Sequence, residues 1–430
     1  MAERRVELAV VGGGLNGLTL GIACASAGLE VAVIDREDPA TMIGERFDGR
    51  TSAIAFGSMR VLDGIGVWRL IADKAEAIRD IRVADNSAPL FLHYDHREIG
   101  DDPMGWIVEN RDLRRALHER ARQLPGLQLL APMKVTHWND VSLSVGPAKA
   151  GTRKAKVLDS RSHGNDGKGF GQLQLADGTV VRAELIAAAD GKNSPLREAA
   201  GIKSVSWSYP QIGIVATVRH TKPHRGVAVE HFLPAGPFAI LPMTDNRSSI
   251  VWTERAALVP TLLKLDDTAF HAELASRFGD FLGDISVEGP RWSYPLSFLH
   301  AETYVASRLV LVGEAAHVIH PIAGQGLNMG IRDIAALAEC LIDGRRLGLD
   351  LGDATVLARY ERWRRFDNVL LAAVTDGLNR LFSNSVPPLK LARDVGLAAI
   401  GEVPPLKHFF MRHAMGMVGD LPRLVKGEAL

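Results

Sequence analysis

The sequence predicts an α/β fold (α+β overall): a single Rossmann-type nucleotide-binding domain, discontinuous in sequence, with an antiparallel β-sheet domain and C-terminal helices. Three observations predict it. A G-x-G-x-x-G turn at Gly12, Gly14 and Gly17 stands between an apolar run and a small-residue helix, close to the N-terminus. Between Ser204 and Pro295, β-branched runs (IGIVATVRHT, GVAVEHFLP, FAILPM, SSIVWTE) are broken by Pro, Gly and Asn, as in a meandering sheet. Arg308 to Asp333 (RLVLVGEAAHVIHPIAGQGLNMGIRD) then returns to strand, glycine-rich loop and helix.

Taken in order, Val6 to Val11 (VELAVV) reads as a buried parallel strand, nearly continuous in apolar residues. Leu15 to Ala27 is the helix, and Glu30 to Ile34 a second strand ending in Asp35. Gly12 allows the tight turn, Gly14 admits a pyrophosphate, and Gly17 lets helix and strand pack closely. Asp35 is expected to accept hydrogen bonds from adenosine ribose hydroxyls. The fingerprint alone does not separate FAD from NAD. Its N-terminal position, with no second copy downstream, points to a permanently bound flavin; neither GDFLGD (279–284) nor GMVGD (416–420) follows a strand.

Phe47 to Ile54 (FDGRTSAI) follows a loop, and helical periodicity resumes near Ser58. Arg50 reads either as reaching a phosphate or flavin edge, or as a solvated arginine near a helix start. Ile78 to Val108 carries short alternating runs (IRVAD, LFLHY, WIVEN) typical of antiparallel strands. Asn110 is expected to cap an amphipathic helix with Leu113, Leu117 and Ala121 on one face, leaving Arg111 to point at a cofactor.

Leu127 to Val145 is strand-like. Gly146 to Gly171 then carries six Lys/Arg against two acids and reads as a surface insertion, a solvated loop before anything else. The hairpin LQLADGTVVRAELI turns at Asp177-Gly178 and leads to ADGKNSPLR. Asp190 there stands at a strand's C-terminal end beside a Gly, a ligand-edge position; alone, the segment would be a turn and an N-cap. A helix is expected over Asp267 to Phe278. Trp207, Trp252, Trp292 and Phe238 are candidates for a pocket wall, with core packing the commoner fate of each.

In the last motif a strand from Leu309 to Val312 stops at Gly313. A loop with His317, His320 and Pro321 follows, and Gly324-Gln325-Gly326 launches a helix running past Leu341. Glycine lets ligand atoms approach the peptide, and the helix end offers free N–H groups. Such an end suits a group that gains negative charge, as a flavin does on reduction. The dipole contributes only about 0.3–1 kcal/mol, enough to tune a cofactor but not to define one.

Composition narrows the class. At 430 residues the chain is expected to hold two domains or one discontinuous pair. Fifty basic residues balance fifty acidic ones, which argues against nucleic acid as the partner. Cys24 and Cys340 alone fit a reducing compartment and leave no disulfide framework. The histidines show no HExxH or Cys/His spacing, so no metal is expected. Without an apolar h-region or an 18-residue apolar run, the expected location is the cytoplasm, with at most peripheral association at the inner face of a membrane.

Together GGGLNG with Asp35, ADGKNSPLR and GEAAHVIHPIAGQGLNMGIRD resemble the FAD-dependent aromatic hydroxylases of the p-hydroxybenzoate hydroxylase type. Within that family the chain is most similar to the ubiquinone-biosynthesis hydroxylases (the UbiH, UbiF and UbiL group). Their pattern H-P-[LIV]-[AG]-G-Q-G-x-N-x-G-x-x-D is met from His320 to Asp333, and VENRDLRRAL, TDGLNRLFSN and the tail LKHFFMRHAMGMVGDLPRLVKG extend the resemblance. It implies that NAD(P)H reduces FAD, that O2 adds at flavin C4a, and that one oxygen atom passes to the ring of a polyprenyl phenol or quinol. His320, Pro321 and Gly324 would then lie near the site of oxygen attack, with no acid–base triad, and His320 could equally serve only to pack the loop. The cofactor wall would comprise Gly12, Gly14, Gly17, Asp35, Arg36, Arg50, Arg111, Asp190, Gly313, Glu314 and the run Gly324, Gln325, Gly326, Leu327 and Asn328. Domain expectations are an FAD-binding part over 1–77, 109–203 and 299–375, a substrate sheet over 78–108 and 204–298, and a helical region over 376–430.

Two departures stand out. Glu314 occupies a position where the family often has Asp, whose role is to accept a hydrogen bond from the flavin ribityl chain. The insertion at 146–171 has no counterpart in the pattern. Lys407 to Val418 resembles an interfacial amphipathic helix, and serves equally as a packed helix or a docking surface. The membrane surface and other ubiquinone-biosynthesis proteins are the partners implied. The alternatives are a hydroxylase or reductase of the same fold acting on a small soluble substrate, or a flavin-holding scaffold subunit.

Overall fold

The computed structural model describes residues 2–44, 48–85, 91–141, 169–382 and 403–430. Phe47, most of the basic stretch 146–171 and residues 383–402 of the helical region lie outside these.

The first sheet is built from β1 (Glu3–Val11), β2 (Val31–Ile34), β8 (Leu127–Leu130), β11 (Val180–Ala188) and β18 (Leu309–Leu311). They run parallel in the order β8-β2-β1-β11-β18, and β17 (Val305–Ala306) adds antiparallel at the edge. Central β1 is buried from Leu8 to Val11, as its continuous apolar run requires. The strand expected from Leu127 to Val145 is two, because Pro132 interrupts it: β8, then β9 (Val135–Val141), which pairs with β10 (Phe170–Leu175). The β10–β11 hairpin turns at Asp177, whose carboxylate accepts from Thr179 N at 2.8 Å.

Helix α1 (Leu15–Ser26) packs on this sheet. The short α2 (Pro39–Met42) follows, then β3 (Thr51–Ala55) and α3 (Phe56–Gly64). FDGRTSAI thus leads into a strand before its helix. β3 pairs with β7 (Gly105–Glu109), which also pairs with β4 (Glu76–Ile78), so the WIVEN run belongs to a small third sheet. β5 (Asp80–Asp85) and β6 (Phe91–Asp95) form one edge of the large second sheet. That sheet continues through β13 (Val227–Leu233), β14 (Gly236–Met243), β15 (Arg247–Arg255), β12 (Ser204–His220), β16 (Ile285–Ala301) and β19 (His317–Val318). Its pairings are antiparallel except β5 with β13. After the short α6 (Val259–Lys264), α7 spans Asp267–Phe278 as expected and buries Phe270, Leu274 and Phe278 against this sheet. Trp252 and Phe238 lie in that same core at 1% and 0% exposure, so neither lines a pocket.

Helix α4 (Asn110–Arg122) buries Leu113, Leu117 and Ala121. Its N-cap is Glu109, not Asn110; the Asn110 side chain instead accepts from Ser52 Oγ at 2.6 Å and donates to Asp48 at 3.2 Å. Helix α5 (Pro195–Ala199) is capped by Ser194, which accepts from Arg197 N at 3.0 Å. Helix α8 (Gln325–Arg346) is buried at every residue from Asn328 to Ile342, which accounts for its run of alanines. The long α9 (Ala354–Phe382) lies against it, and α10 (Pro404–Ala414) inserts Met411 beside Phe56, Met104 and Ile107. Among the described residues no helix is long and apolar enough to cross a membrane.

Candidate active site

The C-terminal edge of the parallel sheet brings three motifs together. Val11 is in register with Ile34 and Ala188, and Ala188 with Leu311, so the loops after β1, β2, β11 and β18 leave the sheet side by side. Gly12, at φ +104°, lies where a Cβ would stand 2.3 Å from the carbonyl oxygen of Ala189. At Gly17 a Cβ would stand 1.7 Å from the Gly12 carbonyl oxygen, so nothing but glycine fits. Gly14 differs, since a Cβ there meets nothing within 4 Å. Its outer side is open, as approach by a ligand requires.

Asn16 links this loop to the last motif. It fills the space beside Gly313 and beside Gly330, where a Cβ would stand 2.3 Å and 2.4 Å from its amide. Arg197, buried, donates to the carbonyl oxygens of Lys192 at 2.9 Å and Ala315 at 3.0 Å, tying ADGKNSPLR to GEAA. Asp190 accepts from Leu196 N at 3.4 Å through one oxygen, while the other is buried without a partner. Burial pushes its carboxyl above the ordinary range. Asp35 accepts from Gly13 N through one oxygen and from Glu37 N at 2.7 Å through the other, so it shapes the turn as well as bounding the site.

The second wall is the start of α8. Gly324, at φ +61°, and Gly326 are exposed although the helix behind them is buried, and Pro321 and Glu314 are exposed beside them. Leu327 is half-buried. Both α1 and α8 begin without a side-chain cap and without an acid in the first turn, leaving N–H groups unclaimed by side chains at two adjacent helix ends. The Asn328 side chain is engaged within the protein. Its Oδ1 accepts from Ala55 N at 2.9 Å, and its Nδ2 donates to Ala53 O and Gly324 O at 2.8 and 3.1 Å. It clamps β3 across the loop. Gln325 donates to Ala414 O at 3.4 Å, which joins the loop to α10.

Sequence reasoning missed Asp48. This buried carboxylate accepts from Arg50 (Nε 2.9 Å, Nη2 3.0 Å), from Arg114 at 2.7 Å and from Asn110. Burial alone would raise its pKa, but the hydrogen bonds and charge of Arg50 and Arg114 hold it well below the usual carboxylate range. Arg50 is thereby fixed over the Tyr294 ring at 4.7 Å, half-exposed, with its charge reaching Glu314. Trp292 packs against Gly49, where a Cβ would stand 1.9 Å from its indole nitrogen. Of the two other predicted arginines, Arg36 is exposed and pairs with Glu37 at 3.3 Å, and Arg111 pairs with Glu109, which also receives Arg247.

A second network missed in the sequence lies beneath the histidine loop. Asp333 pairs with His317 at 2.5 Å and accepts from Arg364 Nε at 3.0 Å and Asn368 Nδ2 at 2.9 Å, all four residues being buried. Burial opposes its ionisation, and His317 with Arg364 overcomes that and keeps it charged. The motif residue Asp333 was legible as a position; its partners were not.

His320 is wholly buried, and neither ring nitrogen has a hydrogen-bond partner. Its ring meets Tyr209 edge-on at 5.2 Å, and Tyr209 donates to Asp376 at 2.7 Å. Tyr209 also walls a cleft of about 860 Å³ between β12 and the end of α9, with Trp207, Gln211, Asn379 and Arg380. Trp207 stacks on Phe298 at 4.0 Å. Burial pushes the His320 imidazole down to about 4, against the opposing charge of Asp376. The unfolded chain therefore takes a proton near pH 6.5 that the native site refuses until about pH 4. Stability attributable to His320 is full above pH 6.5 and falls by up to about 1.4 kcal/mol per pH unit below it. His320→Leu is expected to lose about 2 kcal/mol less than the wild type between pH 6.5 and 4.5, measured by urea unfolding at both values.

The residues present fit FAD. Gly14 is open where a pyrophosphate would approach, the orphaned Asp190 oxygen calls for a donor, and two uncapped helix ends lie beside exposed glycines.

Comparison with known proteins agrees. The family model for the FAD binding domain matches residues 5–365. A ubiquinone hydroxylase of Rhodospirillum rubrum, UbiL, is 49% identical over 432 residues, covering 100% of this chain and 94% of its own. The 3-demethoxyubiquinol 3-hydroxylase of Escherichia coli is 32% identical over 419 residues, covering 97% of this chain and 100% of its own. Among solved structures, p-nitrophenol 4-monooxygenase PnpA from Pseudomonas putida superposes with a TM-score of 0.74 at 19% identity, covering 96% of this chain and 99% of that one, which shows the shared fold. The chain therefore belongs to the FAD-binding-domain family, as an FAD-dependent monooxygenase of its ubiquinone-hydroxylase group.

Proposed function

We propose that the protein hydroxylates the aromatic ring of a polyprenylated ubiquinone precursor, using NAD(P)H and O2, at a membrane surface and beside other enzymes of the same pathway. The observation that carries this reading is the cleft walled by Trp207 and Tyr209, which adjoins His320 at one end of the cofactor wall. At about 860 Å³ it exceeds what a bare phenol fills and suits a ring with an apolar tail. Each buried CH2 of such a tail contributes about 0.8 kcal/mol.

FAD, when bound, accepts electrons from NAD(P)H and supplies the oxygen chemistry. The chain binds and orients. Gly12, Gly14 and Gly17 with Asp35 would hold the adenosine and pyrophosphate end, and Asp190, Gly313 and Glu314 the middle. Pro321 and Gly324 to Leu327 would flank the ring, with the α8 N-terminus favouring negative charge there. Asn328 keeps β3 against that loop, and Asp48 ties the segment before β3 to Asn110 and Arg114 of α4, which keeps the wall rigid. His320, neutral at pH 7, can accept or donate one hydrogen bond without bringing a charge next to the reacting oxygen.

Glu314→Ala is expected to weaken FAD binding about 10- to 100-fold, since a charge-assisted hydrogen bond contributes about 1.5–3 kcal/mol. Fluorescence titration of the apoprotein measures it, and unchanged affinity would place Glu314 outside the cofactor site. For the reaction as a whole, deletion of the gene should cause a polyprenyl phenol lacking one ring hydroxyl to accumulate, identified by mass spectrometry. Normal quinone in the deletion strain, with no precursor, counts against the reading.

A further inference from the structure

Among the described residues, helix α9 leaves one face bare. Between Arg362 and Arg380 the exposed residues with described side chains are Arg362, Arg365, Phe366, Val369, Leu370, Ala373, Val374, Gly377 and Arg380. Every one is apolar, glycine or arginine, and none is an acid. Phe366 is 71% exposed and Leu370 49%. Their spacing (366, 369/370, 373/374, 377) is that of a single helical stripe, about 17 Å long at 1.5 Å per residue. The acids nearest to it are already paired, Asp367 with Arg364 at 2.9 Å and Asp376 with Arg380 at 2.8 Å.

Helix α10 repeats the pattern. From Val403 to Arg412 its exposed positions are Val403, Pro404, Pro405, Leu406, Phe409 and Arg412, again without an acid. The two helices are neighbours: His413, whose ring lies 6.0 Å from Phe409, feels the charge of Asp367. Two adjoining faces therefore present apolar side chains with arginines at their margins, although the chain as a whole has no net charge.

We infer that the outer faces of α9 and α10 form a docking surface for an anionic lipid bilayer, with the tail cleft opening beside it. Charge chooses the occupant. A two-fold pairing of this face with itself would set Arg362, Arg365 and Arg412 among one another with no exposed acid of the face to receive them, whereas anionic headgroups would neutralise them. Apolar side chains beneath a basic margin are what an interfacial helix needs. Location supports the same occupant, because Arg380 and Asn379 at the end of α9 also line the cleft. This part rests on the reading that the substrate carries an apolar tail: a tail partitioned in lipid would enter the cleft without crossing water.

The test uses the full-length, FAD-loaded protein and vesicles of phosphatidylcholine with or without phosphatidylglycerol, separated by flotation. The wild type is expected to float with the anionic vesicles, and less so as salt rises. The triple variant Phe366→Ser, Leu370→Ser, Val374→Ser and the charge variant Arg362→Glu, Arg365→Glu should each lower partitioning more than about ten-fold. Both should keep bound FAD and hydroxylate a tail-less phenol at the wild-type rate, since none of these side chains touches the site. Failure of the wild type to float overturns the inference. So does binding that neither variant weakens, or a wild-type dimer that the triple variant turns into a monomer. Flotation without hydroxylation of any phenol would instead contradict the functional reading and leave the lipid surface standing.

Discussion

Asp333→Ala is expected to destabilise the protein by about 3 kcal/mol, at the lower end of the roughly 3–5 kcal/mol that removal of one partner from a buried ion pair costs. Asp333 has no exposed surface, and it holds His317 on the loop, Arg364 on α9 and Asn368 one turn further along. Its removal leaves the guanidinium of Arg364, 1% exposed, with Asp367 and Asn368 as its remaining partners. Asp367 keeps the loss from reaching the upper end. Against a total stability of about 5–15 kcal/mol this is a large fraction. Urea unfolding at neutral pH measures it, and a change below about 1 kcal/mol would show that the network is not a structural anchor. His317 should also respond. Without Asp333 its ring loses the partner that fixes its orientation, so the variant should bind FAD less tightly even where it remains folded.

Loss of the flavin is the second large effect, expected for Asp35→Ala. Both carboxylate oxygens accept backbone N–H groups, from Gly13 and Glu37, and each has a further lone pair for a ribose hydroxyl. Alanine removes the turn's two anchors together with the cofactor contact, each charge-assisted bond contributing about 1.5–3 kcal/mol. Asp35→Asn should be nearly as damaging, because its NH2 group would face one of the two N–H donors. Both variants should therefore purify without visible flavin absorbance while keeping the far-ultraviolet circular dichroism of the wild type. Stoichiometric FAD in either would mean that the β1–α1 turn is not the adenosine site.

What could be read in the sequence was whatever is local. The β1–α1–β2 unit, the β10–β11 turn and α7 are written in neighbouring residues: glycines at fixed spacing, an Asp-Gly turn, an apolar period. The three motifs that meet at the sheet edge were legible for the same reason, since each ends a strand whose apolar run is evident. The misreadings concern side chains whose partners are distant in sequence. Asn110 resembled an N-cap, but Ser52 and Asp48 claim its amide from about sixty residues away. The bonds of the Asn328 side chain to the backbone of β3 were equally invisible, because Ala53 and Ala55 lie about 270 residues away in the chain. Asp48 carried no signal, because its importance comes from Arg114 and Tyr294 converging on it from other elements. WIVEN has the alternation of any half-buried strand, and alternation does not say which sheet it joins.

In the proposed function, FAD held at this sheet edge serves ring hydroxylation of an apolar-tailed phenol. Incubating the purified yellow protein with NAD(P)H, isotopically labelled O2 and a polyprenyl phenol presented in vesicles tests it most directly. The predicted result is a product carrying one labelled oxygen on the ring for each NAD(P)H consumed. NAD(P)H consumption that yields only hydrogen peroxide with every polyprenyl phenol would contradict it.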